Sequence, residues 1–130
     1  MEVQIFGHKK DPETRKAQRF FTERRVKVHF VDLAERAAAP GELKRFVQKF
    51  GVEALVDREG KRFAERGLRT ALYGEARWLE LLADDPGLLR TPLVRWQHKL
   101  TIGGAEAEWK QWMAAAQTTP AGTQQTGSRK

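Results

Sequence analysis

Residues 3–31 read as strand, helix and strand in immediate succession, and this order restricts the fold more than any other feature of the chain. Val3–Phe6 alternates, with Val3 and Ile5 on one side and Gln4 and Phe6 on the other. The stretch GHKKDPETRKAQRFFTER follows, a loop running onto a helix. Asp11 suits the N-cap, where a side-chain oxygen accepts a first-turn N–H, and Pro12 suits the first helical position, where its missing N–H costs nothing. From about Pro12 to Arg24, the residues Ala17, Phe20, Phe21 and Arg24 recur at i, i+3, i+4, i+7 and share a face. Val26–Val31 then alternates again, with Val26, Val28 and Phe30 on one face and His29 opposite as a sheet residue. A helical crossover between two strands predicts that they pair in parallel.

The rest of the chain adds helices and a hairpin. Asp32–Ala39 is an Ala-rich connection ended by Pro40-Gly41. Glu42–Phe50 follows as a helix with Leu43, Phe46, Val47 and Phe50 in register and Gly51 placed to end it. Val52–Val56 reads as a further short helical turn. Asp57–Arg69 reads as an ordered charged loop anchored by Phe63 and Leu68. Gly74–Ala83 is a helix carrying Trp78, Leu79, Leu81 and Leu82, stopped by Asp84-Asp85-Pro86-Gly87. Leu93–Trp96 and Leu100–Ile102 predict a hairpin around Gln97-His98-Lys99. A last helix, Ala105–Ala116, places Trp109, Trp112 and Met113 on a core-facing stripe. From residue 118 the polar sequence TTPAGTQQTGSRK has no periodicity and reads as a disordered tail. The expected fold is α/β: a β-α-β unit, a helical insertion over about 33–88, then β-β-α around a small mixed sheet. That is the order of the thioredoxin-like fold, in one domain over residues 1–117.

Composition removes several functions. At 130 residues the chain is one domain able to bury a real core. There is no cysteine, which excludes disulfides, thiolate metal sites and thiol catalysis. His8, His29 and His98 are too scattered for helical ligand spacing, so neither a metal nor another cofactor is expected. No apolar run spans a membrane and no secretory leader opens the chain, so a cytoplasmic location is expected. The formal net charge of +7 points to an acidic partner or serves solubility.

Three patches resemble the arsenate reductase/Spx branch of the thioredoxin-like superfamily. IFGHKKDPETRKA is similar to the family's strand, Cys-bearing loop and Arg-Lys-Ala step, here Arg15-Lys16-Ala17. ELKRFVQKFG with its charged loop and RGL resembles the helical insertion. DDPGLLRTPLVRWQHKLTIGGAEAEWKQWM resembles the family's closing Pro, hairpin, Gly and helix, and is the most specific patch. The resemblance implies that Pro92 is a cis-proline facing the helix N-terminus.

The departures from the pattern matter as much. Asp11 stands where the family has its nucleophilic Cys, and Thr14 where a second Cys would complete Cys-x-x-Cys. Thr91 replaces the Arg that precedes the cis-proline in arsenate reductases, with Arg90 one step earlier. Another family Arg falls near Asp57, with Arg58 adjacent. Arsenate reduction needs a sulfur–arsenic bond and disulfide exchange, so that chemistry is excluded. Asp11 is either an N-cap alone or a permanent mimic of the thiolate charge, stabilised by the helix N-terminus. The expected function is therefore a non-redox interaction or regulatory module for RNA polymerase or another acidic protein. Lys9, Lys10, Arg15, Lys16 and Arg19 would meet that partner. The alternative is an enzyme or a binder of glutathione or an oxyanion, held by the helix N-terminus, the backbone beside Pro92 at Thr91, and Arg15, Arg58 or Arg90. Direct nucleic-acid binding fits the charge but has no recognisable motif.

Overall fold

The computed structural model describes residues 1–118. Its sheet has the order β2-β1-β3-β4, built from β1 (Glu2–Gly7), β2 (Lys27–Asp32), β3 (Leu93–Trp96) and β4 (Lys99–Ile102). β1 and β2 pair in parallel, while β1–β3 and β3–β4 are antiparallel, so the sheet is mixed as expected. Helix α1 (Pro12–Glu23) makes the crossover, and α5 (Glu106–Thr118) lies in the same layer. The other face carries α2 (Pro40–Phe50), the short α3 (Lys61–Glu65) and α4 (Glu75–Asp84). This is the thioredoxin-like arrangement with a helical insertion.

The alternation in β1 sorts the interior into two cores. Val3 and Ile5 join Ala17, Phe20, Phe21, Val94, Trp96, Trp109 and Trp112 beneath α1 and α5. Phe6 joins Val31, Leu43, Phe46, Leu55, Trp78, Leu82 and Leu93 on the α2–α4 side. The rings of Phe20 and Phe21 lie 5.5 and 5.4 Å from that of Trp109, and the indole N–H of Trp109 donates to Thr101 at 2.8 Å in the buried interior. The stripe on the last helix is thus core, because a buried indole needs both apolar neighbours and a hydrogen-bond acceptor.

Local differences from the sequence reading have simple causes. The charged segment 57–69 contains the helix α3 and a 3-10 turn, Leu68–Thr70, because Phe63 and Leu68 are buried and their backbone closes local hydrogen bonds. Pro40-Gly41 does not end the preceding connection but opens α2, with Pro40 in the first turn. Lys99 leaves the hairpin loop and pairs with Trp96. The turn tightens to Gln97-His98, with Gln97 at φ 56°. α5 runs to Thr118, one residue into the stretch read as tail, and residues 119–130 lie outside the described residues.

Candidate functional site

The C-terminal end of β1 delivers the loop 8–11 to the N-terminus of α1. The turn closes through the Asp11 N–H, which donates to the His8 carbonyl at 2.9 Å. Asp11 is extended at φ −75°, ψ 120°, and its Oδ1 accepts the Glu13 N–H at 3.3 Å, so it is the N-cap that the sequence predicts. Its other oxygen is equally engaged. Oδ2 accepts the hydroxyl of Thr14 at 2.8 Å and that of Thr91 at 2.6 Å. The Thr91–Pro92 peptide is cis, as the resemblance implied. Gly7 allows the close approach: a Cβ there would lie 2.4 Å from Thr14 Oγ1. Asp11 and Thr14, the two positions that the resemblance sets against cysteines, are therefore joined by a carboxylate–hydroxyl hydrogen bond.

A cleft of about 530 Å³ opens beside this clamp, lined by His8, Asp11, Glu13, Asp57, Arg90 and Thr91, with the backbone of Gly87, Leu89, Gly103 and Gly104. Its walls are brought together by backbone hydrogen bonds. Val56 bridges Leu89, the Asp57 N–H donates to Leu88 and the Arg90 N–H donates to Leu55. The Gly103 N–H donates to the Pro92 carbonyl, bringing the end of β4 to the rim. Three carboxylates, Asp11, Glu13 and Asp57, face one guanidinium, Arg90, across this space. An oxyanion cradle needs the reverse balance. Glu13 is also pressed close to the chain, since a Cβ on Gly104 would sit 2.6 Å from its Oε1.

The structure gathers Asp11, Arg90 and Thr91 at the cleft, with Pro92 buried directly behind them. The other cations named from the sequence are elsewhere. Lys9 bridges Asp32 and Glu35, each at 3.6 Å. Lys16 pairs with Glu13 at 3.4 Å, while Lys10, Arg15 and Arg19 are exposed on the loop and α1. Arg58 is held by Glu53 and lies over the rings of Phe63 and Trp78, at 5.5 and 5.6 Å from their centroids. It is Asp57, not Arg58, that lines the cleft. Thr91 as a donor to Asp11 was not legible, because its partner is 80 residues away in sequence. His8, weighed from the sequence only as a metal ligand, and Glu13 also line the cleft, flanking Asp11 in the loop and first turn.

The thioredoxin-like frame has counterparts among known proteins. Residues 6–112 match the model of the ArsC family. The chain belongs to the ArsC family. A relative of this chain is the Bacillus subtilis (strain 168) protein YusI, itself described as uncharacterized, which is 28% identical over 115 residues, covering 85% of this chain and 98% of that one. A solved arsenate reductase (ArsC) related protein from Brucella melitensis superposes with a TM-score of 0.63 at 25% identity, covering 87% of this chain and 95% of the other. An arsenate reductase from Vibrio cholerae gives a TM-score of 0.74 at 19% identity, over 85% of this chain and 97% of its own length, a likeness of fold. This ArsC-family chain has the shared frame, a cis Thr91–Pro92 peptide and no cysteine.

Proposed function

We infer that this ArsC-family protein is a non-redox interaction module, which recognises an acidic surface of a protein partner, RNA polymerase being the first candidate. The observation that carries the reading is the Asp11 carboxylate, whose oxygens are taken by the Glu13 N–H and the Thr14 and Thr91 hydroxyls. A carboxylate so held cannot form the sulfur–arsenic bond of the reductase cycle, and it is too weak a base to make a threonine alkoxide. It is a structural charge at the position of a reactive one. The surplus of carboxylates in the cleft further disfavours arsenate, phosphate and the carboxylates of glutathione. What remains is a rigid frame with basic surface, including Lys10, Arg15 and Arg19 unpaired on the loop and α1 among the described residues. No helix among the described residues is long and apolar enough to cross a membrane, and the reading places the protein in the cytoplasm.

One observation favours a second reading, retention of a small-anion pocket: Arg90 lines the cleft with no ion-pair partner among the described residues. Two measurements separate these readings. Calorimetric titration with arsenate, phosphate and glutathione is expected to be flat. Pull-down from native lysate with the full chain is expected to enrich RNA polymerase subunits, with enrichment lost in K10E/R15E. Saturable glutathione binding, or capture of the polymerase unchanged by K10E/R15E, overturns the interaction reading as stated.

A further inference from the structure

The sheet face that carries α2 and α4 is covered over only half its length. One row of that face is apolar and buried: Phe6 pairs with Val31 and with Leu93, and Leu93 pairs with Ile102. Two residues nearer the Glu2 end, the next row on the same face is polar. There His29 pairs with Gln4, Gln4 with Arg95, and Arg95 with Leu100. Over the polar row lies a trough in two parts that meet at Arg95. One, of about 650 Å³, runs among Gln4, His29, Arg36, Arg95 and Gln97. The other, of about 300 Å³, continues between α2 and the hairpin among Arg45, Gln48, Lys49, Arg95 and His98.

The charge of this trough is one-sided. Arg36, Arg45, Lys49 and Arg95 line it, and the lining carboxylate, Glu2, is bonded to His29 at 2.6 Å. The side chains of Arg36, Arg45 and His98 have no ion-pair or hydrogen-bond partner among the described residues. Arg95 is only partly engaged. Its Nε donates to the Gln97 carbonyl at 2.8 Å, while Nη1 stands 3.6 Å from a Glu42 oxygen that is buried without a hydrogen bond. Several other cations are paired with carboxylates, as at Lys9, Lys16, Arg62 and Arg66, and Arg95 itself pairs with Glu42, but Arg36 and Arg45 are not. Unneutralised cations converging on a concave site raise the potential there and steer an oppositely charged partner. The trough lies at the opposite end of β1 from the Asp11 cleft.

We propose that this trough docks a short acidic peptide segment of a partner protein, its carboxylates seated on Arg95, Arg45 and Lys49. The proposal rests on the reading of the protein as an interaction module and assigns it a contact surface away from α1. A peptide fits better than a nucleic acid. The trough is short and concave, and its lining aromatic, Phe30, packs against the core on the other face of the sheet and offers no platform for stacking bases.

The test uses the full chain with a labelled oligoglutamate peptide and an oligothymidylate of equal charge, by fluorescence anisotropy, with amide shift mapping of the ¹⁵N-labelled protein. The peptide is expected to move the amides of Arg45–Lys49 and Arg95–His98. R45E/K49E is expected to weaken it at least about tenfold and K10E/R15E by less than about twofold. Both pairs are exposed, and an unchanged melting temperature verifies that each variant is folded. Equal losses in the two variants, tighter binding of the oligothymidylate, or no saturable peptide binding overturns the trough. Loss in K10E/R15E alone also overturns it but leaves the interaction reading standing on α1. Polymerase capture that fails while the trough binds peptide overturns the choice of partner and not the surface.

Discussion

Replacing Asp11 by Ala removes a junction that joins the start of α1 to the loop before β3. The cap bond to the Glu13 N–H is long, at 3.3 Å, and is worth about 1 kcal/mol. The hydroxyl bonds from Thr14 and Thr91, at 2.8 and 2.6 Å, have a charged acceptor, which would make them worth about 1.5–3 kcal/mol each in a dry interior. Asp11 is only partly buried at the cleft rim, so water replaces part of what is lost, and about 1 kcal/mol apiece is the better figure. The sum is about 3 kcal/mol, a fall in melting temperature of roughly 10–15 °C for a domain of this size. Urea unfolding of the wild type, Asp11→Ala, Thr91→Val and the double variant measures it, with unchanged slopes as the check on two-state behaviour. Asp11→Asn is expected to keep the cap and lose about 1 kcal/mol. The Asp11–Thr91 coupling is expected at about 1 kcal/mol. A coupling indistinguishable from zero, or an Asp11→Ala variant as stable as the wild type, would refute the account of Asp11 as a structural charge.

Three further outcomes follow from the same geometry. Asp11→Cys places a thiol at a helix N-terminus beside two hydroxyl donors, so its alkylation rate against pH is expected to have a midpoint below the usual value of about 8.5. Gly7→Ala drives a methyl into Thr14 and is expected to cost about 1–3 kcal/mol, partly recovered by adding Thr14→Ala; equal losses in the single and double variants would show that the clash is not the cause. Burial pushes the Asp85 carboxyl up, but hydrogen bonds and charge from Arg62 and Arg66 outweigh it and hold the group below the ordinary range. Its folded pKa is depressed, so its contribution is present above the unfolded value of about 3.9 and is lost as pH falls through the folded one. With both arginines partly solvated, Asp85→Asn is expected to cost about 1 kcal/mol at pH 7, and the difference from wild type should shrink as pH falls below the unfolded value of about 3.9 in urea titrations.

Much of the frame was legible because it is written in local periodicity. The alternation in Val3–Phe6 and Val26–Val31, and the spacing of Phe20 with Phe21 and of Trp109 with Trp112, each fix a face without reference to the rest of the chain. Asp11 as N-cap was legible for the same reason: its partner is two residues away. The site as a whole was not. Thr91 reaches Asp11 only because β3 lies beside β1, and Asp57 reaches the cleft only because residues 56–57 pair with 88–89. Arg58 is drawn into the insertion by Glu53 and two aromatic rings, a competition that no spacing rule foretells. The short helix α3 was read as loop because five residues dense in charge give too little periodicity to count.

The hydroxyls of Thr14 and Thr91 also bear on how such a protein changes over generations. Both now donate to a charge that a thiol does not supply under ordinary conditions. A mutation placing Cys at position 11 would leave those donors without the carboxylate they now bond and lower stability. A protein that sits only slightly above its stability threshold is poorly placed to absorb such a step. Carboxylate and threonines therefore depend on one another: each residue is tolerated where it stands because the others are already there.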